Sequence, residues 1–301
     1  MIRSYTSTRI GLSPRISEAV NLYRAHSRDI PGKAALVLRR LRETEEDVRR
    51  YAGRELAGLD VLEIGPGQML KYLRYFAIRN RATGIDLDVV EDSLTMAALA
   101  RMWRINGPMR TGKTMVRKML GLDARFHREF CSQLGVASLP QPRVLQMDAE
   151  KMTFADATFD FVFSCSTFEH LSDPGKVIDQ INRILRPGGV AHITLHLYTS
   201  DSGCHDPRIS AGRRDELPFW SHLRPEHSSK VRSNAYLNKI RLADWRELFR
   251  CKAPSVSLRT VEDQNPHVRA ELARLRRDGE LSNYTDEELL TVELIAMWKR
   301  D

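Results

Sequence analysis

Glu63-Ile64-Gly65-Pro66-Gly67 puts a carboxylate two residues ahead of a pair of glycines. Glycines in such a turn let the backbone approach a ligand, and the N-terminus of a following helix offers unsatisfied N–H groups, so the stretch reads as a nucleotide-type site. A dinucleotide fingerprint needs a third glycine three residues past the second, where this chain has Leu70. Pro66 removes one N–H from the turn, a loss that matters for cradling pyrophosphate and little for a ligand without phosphates. Glu63 would repel phosphate and favour an ammonium. The turn therefore suits a cationic amino-acid nucleoside. Asp86, nineteen residues past Gly67, stands near the roughly 20-residue spacing at which a carboxylate reaches ribose hydroxyls. A carboxylate can accept from both hydroxyls of an unphosphorylated ribose, with Asp88 the lesser partner.

Histidine has the intrinsic pKa of a general base near neutrality, and His170, His196 and His205 are the candidates. His205, flanked by Cys204 and Asp206, is preferred; His170 also reads as a structural histidine bonding backbone. His192, His196, Cys204 and His205 raise a metal reading, but their spacing matches no compact zinc pattern and no metal is expected. Cys131, Cys165, Cys204 and Cys251 are far apart and read as reduced thiols.

These residues need elements to hold them. Val61, Leu62 and Ile64 predict a buried parallel strand, and Met69, Leu70, Tyr72, Leu73 and Phe76 predict a helix beginning at the turn. Ala82 to Asp88 reads as a second strand, Arg143 to Ala149 as a third that ends in Asp-Ala and Phe159 to Ser166 as a fourth. Asn182 to Gly189 ends a helix before a fifth strand, Val190 to Leu195. Trp245, Leu248 and Phe249 share a helix face, Ser255 to Val261 reads as a strand and Leu289 to Trp298 as the last. Ahead of the turn, residues 1–58 look helical through Ile16, Val20 and Tyr23, then Ala35, Leu36, Leu38 and Leu41, with a further short helix starting at Thr44.

The Glu-x-Gly-x-Gly turn, the acid-tipped second strand, Asp148-Ala149 at the end of the third, Glu169-His170 after the fourth and Leu185-Arg-Pro-Gly-Gly189 before the fifth resemble, in order, the motifs of class I S-adenosylmethionine-dependent methyltransferases, in particular the small-molecule type-11 group. Met69 departs from the pattern, since many members carry a further glycine there. The resemblance implies an α/β, Rossmann-like, seven-stranded, mostly parallel sheet with helices on both faces and a final antiparallel strand, plus N-terminal helices and a substrate cap. It implies S-adenosyl-L-methionine as cofactor, held by Glu63, Gly65, Gly67, Asp86, Leu87, Asp148, Ala149 and Ser164, with Asp148 and Ala149 on the adenine. The expected organisation is an N-terminal helical extension over 1–58 and a methyltransferase domain over 59–301 with insertions at 105–142 and 197–240.

The first insertion contains Gly107-Pro-Met-Arg-Thr-Gly112-Lys113-Thr114, a letter-for-letter P-loop match, but a helical, Arg-bearing segment precedes it where the mechanism needs a strand, so the match is read as accidental. Arg101, Arg104, Arg110, Lys113, Arg117, Lys118, Arg125 and Arg128 make the same region basic, which fits either a solvated face or contact with an acidic acceptor or anionic surface. The second insertion, with Tyr198, Trp220, His222, His227 and Tyr236, reads as a substrate-side cap.

The 301 residues, with 42% hydrophobic content and net charge +8, contain no stretch approaching the roughly 18 apolar residues of a membrane span, so a cytoplasmic protein is expected. The expected function is methyl transfer to a small molecule, sugar or lipid-linked glycan, at oxygen, with peripheral membrane contact left open. RNA as acceptor has only the charge in its favour. A non-catalytic methyltransferase-like binding subunit is the alternative of another class, and a phosphate-hydrolysing switch would require ATP or GTP binding.

Overall fold

The computed structural model describes residues 27–91, 94–210, 212–233 and 235–301; Ile16, Val20 and Tyr23 of the expected N-terminal helices lie outside them. Seven strands form one sheet in the order β3-β2-β1-β4-β5-β7-β6. They are β1 (Asp60–Ile64), β2 (Arg81–Asp86), β3 (Arg143–Gln146), β4 (Phe159–Cys165), β5 (Leu185–His196), β6 (Ser257–Glu262) and β7 (Thr291–Lys299). β1 pairs in parallel with both β2 and β4, and β2 with β3, as expected of a strand whose Val61, Leu62 and Ile64 are all buried. β7 is antiparallel to β5: Arg300 N donates to Gly189 O while Leu197 N donates to Val292 O, so the two numberings run in opposite directions.

By compactness the described residues fall into two units. The first comprises 27–165, 173–193 and 297–301, the second 166–172 and 194–296.

In the first unit, α1 (Ile30–Ala52) starts where the Asp29 carboxylate accepts from Gly32 N, and it ends at Gly53 in the left-handed region. It is one helix, not the two expected. Thr44 continues it by turning its hydroxyl back onto Arg40 O rather than capping a new start. Its Leu38, Leu41 and Val48 join Val61, Phe76, Phe161 and Phe163 in one buried cluster, so α1 belongs to the core of the fold. The helix after the glycine turn, α2 (Lys71–Phe76), begins four residues past Gly67, later than expected, because Leu70 takes a left-handed conformation that extends the turn. Gly84 lets α2 pack on the sheet: a Cβ there would stand 2.7 Å from Leu73 Cδ2.

Three helices follow: α3 (Met96–Asn106), α4 (Pro108–Met119) and α5 (Leu122–Leu134). The P-loop match forms the first turns of α4 rather than a loop, so its N–H groups enter helical bonds and cannot converge on phosphate. After α6 (Pro174–Ile184), β5 starts at Leu185, five residues earlier than expected, and absorbs the Arg-Pro-Gly-Gly sequence. Gly189 makes that passage feasible, because a Cβ would stand 2.8 Å from Arg186 O.

The amino end of β1 is an ion-pair cluster. Asp60 receives Arg81 through two bonds of 2.7 and 2.9 Å, and Arg186 bridges Asp60 and Asp160 at 2.9 and 2.6 Å. Arg54 adds a 3.0 Å bond to Asp160. The arginines hold the Asp60 carboxyl down at about 2, Arg81 contributing most.

The second unit carries α7 (Pro207–Ser210), α8 (Pro225–Ser228), α9 (Leu242–Lys252), α10 (Pro266–Arg277) and α11 (Asp286–Leu290). α10, unforeseen in the sequence, buries Val268, Leu272 and Leu275 with Trp220 and Leu289 in a separate core.

Candidate active site

The carboxyl end of β1 contrasts with its amino end. The Glu63 side chain is 1% exposed and its Oε2 has no hydrogen-bond partner. Burial raises its pKa well above the usual carboxylate value, and the neighbouring Asp86 carboxylate raises it further. Asp86 is half-buried at the tip of β2; its Oδ2 accepts from Gly67 N at 3.3 Å and its Oδ1 from Asp88 N at 2.9 Å. Its carboxyl is pushed up to about 6, chiefly by burial. Gly65 and Gly67 both adopt positive φ, and a Cβ on Gly67 would meet no atom within 4 Å, so open space adjoins the turn. Two close carboxylates with an orphaned buried oxygen, facing open backbone, fit a ligand that brings an ammonium and a diol.

The other expected cofactor residues have varied surroundings. Asp148 is exposed, and its carboxylate caps the short 3-10 turn Ala149–Lys151 by accepting from Glu150 N at 2.9 Å; Ala149 is buried. Leu87 is half-buried and its carbonyl accepts from Gln146 Nε2 at 3.4 Å. Ser164 is fully buried and donates its hydroxyl to Ile64 O at 2.9 Å, so that hydroxyl ties β4 to β1.

In the second unit, the three histidines singled out from the sequence come together. His205 Nε2 lies 3.2 Å from His196 Nδ1, the His170 and His205 rings are 5.0 Å apart, and His196 Nε2 meets Ser202 Oγ at 2.9 Å. His170 Nδ1 sits 2.7 Å from Tyr236 O, the backbone-bonding role foreseen as its alternative. His205, in a left-handed conformation, is held down at about 3 by burial and then by His196 and His170, so it stays neutral and is a weak base. Between them sits a residue that sequence reasoning quoted without assigning: Glu169, 2% exposed, with neither carboxylate oxygen hydrogen-bonded. Burial pushes its carboxyl up to about 8. Glu169, His170 and His205 offer ligand atoms within 4.8 Å of one another, an arrangement able to hold a cation; His192 and Cys204 are not among them. His192 instead stacks on Phe163, 3.6 Å from Asp47.

Much of the expected cap chemistry is spent on the cap's own fold. Asp206 bonds Arg208 and accepts from Arg232 N, Asp201 pairs with Arg214 and accepts from Trp220 N, and His222 Nε2 meets Tyr198 O at 2.7 Å. Cys204 is buried and its thiol is pushed up to about 11.

Residues 112–193 match a family model described as a methyltransferase domain. A sterol 4-C-methyltransferase of Caenorhabditis elegans is 28% identical over 79 residues, covering 26% of this chain and 23% of the relative. An uncharacterized methyltransferase of Mycobacterium sp. (strain KMS) is 24% identical over 131 residues, 38% and 52% of the two chains. The chain thus spans about half or less of the curated relatives it matches. Among solved structures, the phosphoethanolamine N-methyltransferase 2 of Haemonchus contortus with bound S-adenosyl-L-methionine is 15% identical, with a TM-score of 0.46 over 86% of this chain and 53% of that one. The chain thus carries a segment similar to a methyltransferase domain, on a seven-stranded Rossmann-like sheet with a glycine turn led by an acid.

Proposed function

We propose that this chain is an S-adenosylmethionine-dependent methyltransferase that transfers a methyl group to oxygen on an amphipathic acceptor, such as a lipid-linked sugar or similar small molecule, met at an anionic membrane surface. The observation that carries this reading is the inverted face of α4. Thr111 and Thr114 are buried, while Met109, Val116 and Met119, with Leu120 just beyond, are exposed. On α3, Met96 and Trp103 are 81% and 58% exposed. A helix facing water ordinarily does the reverse, and a contiguous apolar surface marks an interaction site. Arg104, Lys113, Arg125 and Arg128 are exposed on the same three helices, the composition of a face that lies against anionic headgroups. Among the described residues no helix is long and apolar enough to cross a membrane, so contact of this kind is peripheral.

S-adenosylmethionine supplies an activated methyl group with its own leaving group, which leaves the protein to align, desolvate and deprotonate. Glu63 supplies the counter-charge for an ammonium, and Asp86 the acceptor for two hydroxyls. The imidazoles of His170, His196 and His205 are the candidates for removing a hydroxyl proton. Within them His205 is neutral and weakly basic, so His196, bonded to it, is the stronger candidate.

Flotation with phosphatidylcholine vesicles, with and without phosphatidylglycerol, tests the acceptor reading. Among the chain's 4 tryptophans, Trp103 is exposed and Trp220, Trp245 and Trp298 are buried, so a blue shift of emission on vesicle addition reports on α3 directly. Binding should require the anionic lipid, weaken with salt and disappear in Met96→Glu/Met119→Glu with cofactor affinity unchanged. Absence of flotation, or salt-sensitive RNA binding in its place, would overturn a membrane-borne acceptor.

A further inference from the structure

A cavity of about 260 Å3 lies in the first unit against the segment that leaves the glycine turn. Four cationic side chains line it: Lys33 and Arg40 from α1, Lys71 from the start of α2 and Arg117 from α4. Among the described residues no carboxylate does. Asp29 acts on Lys33, and Asp123 binds Arg117 Nε at 2.6 Å. That bond leaves Arg117 Nη2 buried without a hydrogen-bond partner. An unsatisfied guanidinium nitrogen in a cavity lined by like charges is a costly arrangement in the absence of an anion. Lys71 lies in the same field: burial chiefly, with Arg117 and Lys33 acting against Cys165 and Asp123, holds its ammonium below the ordinary lysine value, and its Nζ lies 5.4 Å from the Phe126 ring centroid. The remaining wall is apolar, through Leu36, Tyr72 and Phe126, and Leu36 is 51% exposed.

We propose that this cavity is an anion site that seats the phosphate or carboxylate of an amphipathic acceptor on Arg117 and Lys71, with the apolar chain running along Tyr72 and Phe126 toward Leu36. This rests on the reading of an amphipathic acceptor, and it gives that acceptor a charge and a direction. Because S-adenosylmethionine has a carboxylate as well as an ammonium, the test is run with the cofactor site already filled.

Calorimetric titration of the intact protein, already saturated with S-adenosylhomocysteine, with monomeric dodecyl phosphate tests the site without any vesicle, so its outcome is independent of membrane docking. Dodecyl phosphate should bind, dodecyl maltoside should not, and inorganic phosphate should bind measurably but much more weakly. Arg117→Gln should weaken dodecyl phosphate roughly tenfold or more, the loss expected for one charge-assisted hydrogen bond, with S-adenosylhomocysteine affinity retained. Should Arg117→Gln fail to fold, Leu36→Asp at the exposed end serves instead: it should weaken dodecyl phosphate and leave inorganic phosphate untouched. Competition between dodecyl phosphate and S-adenosylhomocysteine would assign the cavity to the cofactor and overturn the proposal. Equal binding of the maltoside, equal binding of inorganic phosphate, or indifference to both substitutions would overturn it as well.

Discussion

The two ends of β1 carry acids three residues apart in opposite states. Asp60 is surrounded by arginines and held at about 2, with Asp160 beside it sharing Arg186 and taking the Asp60 N–H. Glu63 has an orphaned buried oxygen and a raised pKa, and Asp86 next to it is pushed up to about 6. One end is internally neutralised and holds strands together. The other keeps a buried carboxylate oxygen without a hydrogen-bond partner, which the proposed cofactor would engage. In an open α/β sheet ligands bind outside the carboxyl ends of the strands, the end of β1 at which Glu63 lies.

The sharpest way to break the comparison is to remove one acid from each end. Asp86→Ala should weaken S-adenosylmethionine binding by about 1.5–3 kcal/mol, roughly 10- to 150-fold, and lower the melting temperature less than Asp160→Ala does, since its hydrogen-bond donors are the backbone N–H groups of Gly67 and Asp88 rather than arginines. Asp160→Ala should do the opposite: about 1–3 kcal/mol of folding stability lost in denaturant titration, because Arg54, Arg186 and the Asp60 N–H lose a partner, with cofactor affinity of the folded protein unchanged. If Asp86→Ala unfolds the protein, or Asp160→Ala loses the cofactor, the division of labour along β1 is wrong.

A smaller effect sharpens the same point through pH. The ligand hydroxyls donate to an ionised Asp86, whereas the ligand-free carboxyl at about 6 is partly protonated in mild acid. Binding therefore releases a proton. Affinity should rise as pH rises through about 6, by at most about tenfold per pH unit, and level off above; Asp86→Asn should flatten the profile. The smallest effect is on the stability of the ligand-free protein. Glu169 binds its proton more tightly folded, at about 8, than unfolded, at its ordinary value of 4.5. Its contribution is full below the unfolded value and is lost as pH rises through about 8, so the melting temperature should decline over that window and decline less in Glu169→Gln. Asp60 has the reverse sign: its contribution is present above the ordinary carboxylate pKa and is lost as pH falls toward about 2.

The central strands β1 and β4 were legible because each is a short, mostly apolar run, and burial on both faces leaves little room for another pattern. The helix α10 was not, since its apolar positions Val268, Leu272 and Leu275 are thinly spread among arginines, and only packing against Trp220 and Leu289 gives them a core. The early start of β5 was missed because Arg186-Pro187-Gly188-Gly189 reads locally as a turn, whereas the backbone bonds between Gly188, Gly189 and Arg300 draw it into the sheet. Glu169 passed unassigned because a glutamate beside a histidine says nothing about solvent access.

By itself the sequence determined the glycine turn, the acid at the tip of β2, the order of the motifs and hence the fold family, because each rests on neighbours within a few residues. Tertiary structure alone decided which charges remain unmatched. Asp60 and Glu63 are equally acidic on the page, and only Arg81 and Arg186, folded against one of them, tell them apart. Likewise Lys33, Lys71 and Arg117 are scattered cations in the chain and become one cavity only when α1, α2 and α4 pack, because electrostatic balance depends on distance and burial, which sequence separation does not encode.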